Sequence, residues 1–240
     1  MAFDNRLRLY LVLMAAFVTA LVVGDIIGGK LTQVVLFGHP FTISVGMIPF
    51  PLTFLLTDLL NEFYGSRAAR NVTWIGFGMA LFTFSIISVA VLIPFAPFTF
   101  AGDWGGINQR SFDNVFAGAQ RIFFASMVAY LIGQLVDIGV FHALKTATQN
   151  RQLWLRATGS TAVSQALDTI VIQTLAWAGT LPISEIANIA VSSYVVKLAV
   201  AIGLTPLIYA GHVLLERWLS IHPVVLDENG QPIDAEAHGS

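Results

Sequence analysis

Residues 71–102, NVTWIGFGMALFTFSIISVAVLIPFAPFTFAG, contain no Asp, Glu, Lys or Arg. About 20 mainly apolar residues suffice for a helix to cross the hydrocarbon core of a bilayer, so this run holds a full crossing, placed at 71–95. Five further windows meet the same requirement, at residues 7–29, 43–64, 119–145, 156–178 and 186–217. The composition agrees with them. Of 240 residues, 56% are apolar and 11% are charged, with a mean hydropathy of +0.75, whereas a soluble domain averages about 25% charged. Too few polar side chains exist to cover a globule in water. The chain therefore reads as an all-α integral membrane protein with six transmembrane helices. Its first span carries Asp25 and precedes five others, so it reads as an uncleaved helix and not as a signal peptide.

The cations orient these spans, because Lys and Arg accumulate on the cytoplasmic side of a membrane protein. Arg6, Arg8, Arg67, Arg70, Lys145, Arg151, Arg156 and Arg217 fall on one side, against Lys30, Arg110 and Arg121 on the other. Both termini are thus expected in the cytoplasm of a bacterial cell, with the helices in its inner membrane. Residues 1–221 form the transmembrane domain. Residues 222–240, with four acids and no base, are expected as a disordered cytoplasmic tail. The loop at 96–118, rich in Gly and aromatic residues, is expected on the outer side as a cap over a cavity or as an interfacial segment.

Other classes are excluded by what is missing. A net charge of −2 and scattered cations leave no basic face for nucleic acid. Cysteine is absent, which removes disulfides, thiolate nucleophiles and Cys-ligated metals. No H-E-x-x-H occurs, and none of the five His lies at mid-membrane beside a Ser, so neither an enzyme nor a metal or other cofactor is expected.

Carboxylates inside a bilayer are costly and mark function by default. Four occur, at Asp25, Asp58, Asp137 and Asp168, with 33 residues between the first two and 31 between the last two. The offset between halves is 112 or 110 residues. Two three-helix halves, at about 7–95 and 119–217, then form a 3+3 repeat, and an odd number of spans inverts the second half. Inverted repeats of this kind build secondary transporters whose sites lie at the midplane between the halves.

Helical periodicity adds three polar stripes. Helix two aligns Phe54, Thr57, Asp58, Asn61 and Glu62. Helix four aligns Tyr130, Gln134, Asp137 and Phe141, and helix five aligns Thr161, Gln165, Asp168, Thr169 and Ile172. A cavity lined this way suits a flat, hydrogen-bonding solute such as a nucleobase, with aromatic rings on its faces. Phosphorylated solutes fit badly, since Lys197 is the one cation placed at mid-depth. Lys197 is read as an internal counter-ion for an Asp, Asp25 as a coupling or counter-ion group, and Glu62 as either that or an interfacial partner of Arg67 and Arg70.

The helix-two string Pro51-Leu52-Thr53-Phe54-Leu55-Leu56-Thr57-Asp58-Leu59-Leu60-Asn61-Glu62-Phe63-Tyr64-Gly65, with Gly133-Gln134-Leu135-Val136-Asp137 and Ser164-Gln165-Ala166-Leu167-Asp168-Thr169, resembles the bacterial queuosine precursor transporters, a vitamin-uptake-transporter-like family. The resemblance implies an importer of 7-deazaguanine bases, the cyano compound preQ0 and the aminomethyl compound preQ1, salvaged for tRNA modification. It implies substrate contact at Asp58, Asn61, Gln134, Asp137, Gln165 and Asp168, with Phe54 and Tyr130 as stacking groups. The competing reading is a substrate-binding subunit for another vitamin-like solute, energised by a separate ATPase. The chain itself has no phosphate loop. Pairing into a homodimer is a further expectation, because six helices leave much apolar surface to cover.

Overall fold

The computed structural model of the chain describes residues 4–36, 38–100, 104–117, 120–219 and 222–226. Its helices are α1 (Asn5–Ile27), α2 (Phe50–Leu92), α3 (Gln109–Phe116), α4 (Gln120–Ala147), α5 (Leu153–Trp177) and α6 (Ile183–Leu219). Between α1 and α2 stands a hairpin of β1 (Leu31–Leu36) and β2 (His39–Ser44), paired antiparallel from Leu31↔Ser44 to Leu36↔His39. Four helical stretches are long and apolar enough to cross a membrane: Asn5–Ile27, Val45–Leu92, Gln109–Ala147 and Ile183–Arg217. α5 is diluted by Ser160, Thr161, Ser164, Gln165 and Thr169, all buried. It is an interior helix among apolar ones, and the chain is an all-α membrane protein carrying one small hairpin.

Two sequence expectations change here. The spans read at 43–64 and 71–95 are one helical stretch, α2, whose single break is Gly65 at φ 81° and ψ 168°. Glycine enters that region without the Cβ clash other residues meet, so one residue suffices where a longer loop was expected. Contacts show that the chain reverses there. Going up α1, Tyr10 meets Tyr64 and Gly24 meets Pro49, so the first limb of α2 runs antiparallel to α1. Phe17 and Leu21 meet Gly76, and Leu21 also packs on the Ala80 cluster, so the second limb runs parallel to it. The second change is at 43–49, where the hairpin and a 3₁₀ turn over Val45–Met47 replace the first residues of the expected span. Gly46 packs so closely on α1 that a Cβ would lie 2.6 Å from the Gly24 carbonyl oxygen, and the Ser44 hydroxyl donates to the Gly28 carbonyl at 2.6 Å.

The remaining helices continue the up-and-down order. α4 runs from Ser126 beside Asp25 to Lys145 beside Glu62. α5 returns from Arg156 at Glu62 to Asp168 against Gly133, and α6 runs back along it through Lys197 to Thr205, whose hydroxyl meets Thr158 at 3.2 Å. Arg6 donates to the Phe63 carbonyl and Leu215 packs on the Phe63 ring. The beginning of α1 and the end of α6 therefore share one end of the bundle. Its central apolar cluster joins Leu13, Phe17, Leu56, Leu60, Ala69, Val72 and Ile138 across three helices.

At that same end, part of the segment expected as a disordered tail is docked. The Val224 amide donates to the Glu62 carbonyl at 2.9 Å, and Asn150 exchanges two hydrogen bonds with the Leu226 backbone, at 2.9 and 3.0 Å. Residues 227–240 lie outside the described residues. The 96–118 loop contains a 3₁₀ turn over Pro97–Phe100 and α3, held by Phe95 against Phe112 and Phe98 against Trp104.

Candidate functional site

A cavity of about 420 Å³ occupies the half of the bundle that holds the end of α1, the start of α4 and the start of α6. That volume lies within the usual range for small-molecule pockets, about 300–1,000 Å³. The three polar stripes turn inward and descend through it. On each, the upper members line the cavity and the lower ones form its floor. Phe54, Tyr130, Gln134, Gln165 and Asp168 line it, as do Asp25 and Lys197. Asp58, Asn61, Glu62 and Asp137 do not, and are 0–3% exposed beneath it. The loop at 96–118 contributes no lining residue among those described.

Around the cavity, side chains supply two kinds of surface. Lys197 forms an ion pair with Asp168 and sits 5.2 Å from the Phe50 ring centroid, while the Phe50 and Phe54 rings meet at 4.6 Å, tilted by 46°. Tyr130 is fixed by its hydroxyl, which donates to the Thr73 carbonyl at 3.1 Å, and by Phe17. Asp25 accepts from Ser126 at 2.8 Å and has no ion pair among the described residues. Gln134 and Gln165 are 3% and 1% exposed, and their amide oxygens have no hydrogen-bond partner among the described residues. Gln173, on the same helix as Gln165, presents a third such oxygen. Buried amide oxygens are ordinarily paired, and three without a partner among the described residues belong to side chains that line this cavity.

The floor is charged and buried. Glu62 binds Lys145 at 3.0 Å and Arg156 at 2.6 Å, with all three side chains 3–4% exposed. These partners replace the Arg67 and Arg70 expected from sequence proximity, because α4 and α5 deliver their cations across the bundle. Above this triad, Asp137 accepts from Ser164 at 3.0 Å, Asn61 reaches the Ile138 carbonyl at 3.4 Å, and Asp58 stands near Asp137 and Glu62. Asp25 and Asp168 also stand near one another.

Sequence reasoning did not single out Phe50, Ser126, Gln173, Trp177 or Ser193 as lining residues. Phe50 and Gln173 were findable, since each continues a marked stripe by one helical turn or two. Ser126 and Ser193 carry no sequence signal that separates them from other intramembrane Ser.

Membrane-length helices here enclose a cavity of small-solute size, largely apolar with a few polar side chains, above a buried charged layer. The chain belongs to the family described as "Putative vitamin uptake transporter", which matches residues 44–211. Among curated relatives, a protein of Bacillus subtilis named "Probable queuosine precursor transporter" is 34% identical over 73% of this chain and 73% of its own length. The "Queuosine precursor transporter" of Escherichia coli is 32% identical over 54% of this chain and 53% of its own. A "Probable queuosine precursor transporter" of Haemophilus influenzae is 30% identical over 55% and 51%. No solved structure shows a significant match. Family and apolar helices together make this a multi-pass protein of the bacterial inner membrane.

Proposed function

We propose that the chain imports queuosine precursors, binding 7-deazaguanine bases such as preQ0 and preQ1 in the cavity between its halves. The observation that carries this reading is the trio of glutamine amides facing a cavity walled by Phe50, Phe54 and Tyr130. A deazaguanine presents a flat face for the rings and an edge of adjacent donors and a carbonyl, which amide oxygens and N–H groups match. Gln134, Gln165 and Asp168 are proposed for that edge, and Phe54 and Tyr130 for the faces. Asp58, Asn61 and Asp137 are reassigned to the floor, where they would meet the base only after the bundle rearranges.

The transport cycle follows from the same arrangement. With Gly65 reversing α2, the chain makes six crossings, and both termini lie in the cytoplasm. The cavity then faces outward and the Glu62 layer closes the cytoplasmic side. The inverted repeat finds support in how the acids pair. Asp25 stands with Asp168 and Asp58 with Asp137, one from each half in both cases. The offsets of 112 and 110 residues carry one pair onto the other, as a two-fold axis in the membrane plane requires.

The test is thermal stabilisation of detergent-purified protein by preQ0, preQ1, guanine, riboflavin and biotin. A ligand that binds only the folded state raises its melting temperature. The deazaguanines should raise it in the wild type and not in Gln165→Leu. Stabilisation by riboflavin or biotin alone would overturn the assignment.

A further inference from the structure

We infer that Asp25 is the seat of a positive charge on the transported ligand, so that the cavity favours a base bearing an alkylammonium arm over its neutral analogues. This inference rests on the deazaguanine reading proposed above and deepens it.

The argument is a count of charge in the cavity. Its lining holds three charged side chains, Asp25, Asp168 and Lys197, and one weakly acidic group, Tyr130. Lys197 belongs to Asp168, with 10% and 16% of their side chains exposed, and its ammonium is further held over Phe50. That leaves Asp25. Among the described residues its one hydrogen-bond partner is the Ser126 hydroxyl, a neutral donor, and Tyr130 directs its own proton away, to the Thr73 carbonyl. The next cations inward, Lys145 and Arg156, are occupied by Glu62 at the floor. An ionised Asp25 would have no cation among the described residues to balance it. A ligand cation placed at Asp25 neutralises it and gains a charge-assisted hydrogen bond.

Geometry assigns the arm a direction. Asp25 and Ser126 stand on α1 and the start of α4, and the Asp168–Lys197 pair on α5 and α6. Gln134 and Gln165, whose buried oxygens lack partners, lie deeper. A base with its hydrogen-bonding edge on the two glutamines can point a short substituent at Asp25. PreQ1 carries an aminomethyl group there, protonated at neutral pH like other alkylamines, and preQ0 carries an uncharged nitrile.

Calorimetric titration of the purified full chain with preQ1, preQ0 and 7-hydroxymethyl-7-deazaguanine, the neutral counterpart of preQ1 in size, tests this. The wild type should bind preQ1 at least about tenfold more tightly than the hydroxymethyl base, the usual margin for a charge-assisted over a neutral hydrogen bond. Asp25→Asn should lose that margin, with a cooperative melting transition and a single size-exclusion peak reporting that the variant is folded. Equal wild-type affinities for all three bases would overturn the inference and leave the deazaguanine reading standing. Failure of the wild type to bind any of the three would overturn both. If Asp25→Asn does not fold, the wild-type comparison of the aminomethyl and hydroxymethyl bases decides alone.

Discussion

The buried triad at the cavity floor gives the most quantitative expectation. Glu62→Gln keeps the side-chain shape and one acceptor oxygen but removes the only carboxylate among the described residues that Lys145 and Arg156 contact, at 3.0 and 2.6 Å. Both cations are 3% exposed and cannot turn to water. Arg156 retains the Asn150 and Arg151 carbonyls and Lys145 retains the Glu62 carbonyl, so each loses its compensating charge without losing every acceptor. Removing one member of a buried ion pair costs about 3–5 kcal/mol, since the partner is left charged and desolvated. At about 2–4 °C per kcal/mol for a chain of this length, the melting temperature should fall by about 6–20 °C. Thermal unfolding in detergent, followed by tryptophan fluorescence and by loss of the monodisperse peak in size exclusion, measures this. Adding Lys145→Met to Glu62→Gln should recover part of the loss, because one buried cation is then removed with the anion. A fall of under about 2 °C for Glu62→Gln would mean that water reaches the floor and that the triad is not the closed layer described above.

Other expectations follow from single contacts. Gln165→Leu removes a buried amide oxygen that has no partner, so the melting temperature without ligand should hold or rise while stabilisation by deazaguanines disappears; unchanged ligand stabilisation would remove Gln165 from the site. Gly65→Ala forces a Cβ into φ 81° and should cost about 1–2 kcal/mol, read as a drop in melting temperature without any change in ligand preference. Asn150→Ala breaks both hydrogen bonds to Leu226. Limited proteolysis should then cut near residue 226 faster than in the wild type, with the transmembrane core intact.

Much of the architecture is legible in the sequence because the bilayer restricts the choices. Apolar length places the helices, and a period of 3.6 tells which residues share a face, so the polar stripes of α2, α4 and α5 could be read with no knowledge of the fold. Period alone fixes the angle of a side chain around its helix, not its depth relative to a neighbour or which neighbour it meets. Hence Asp58, Asn61 and Asp137 were legible as interior but not as floor, while Gln134, Gln165 and Asp168 were legible in the same way and line the cavity. Glu62 shows the limit most clearly. Sequence proximity offered it Arg67 and Arg70, and the bundle supplies Lys145 and Arg156, 83 and 94 residues away. The capture of Lys197 by Asp168 and the place of Asp25 on the cavity with no ion pair among the described residues depend on how the helices stack. Composition and periodicity determine that polar groups must be buried in this membrane protein; only the packing of one helix against another decides which of them neutralise each other and which are left for a ligand.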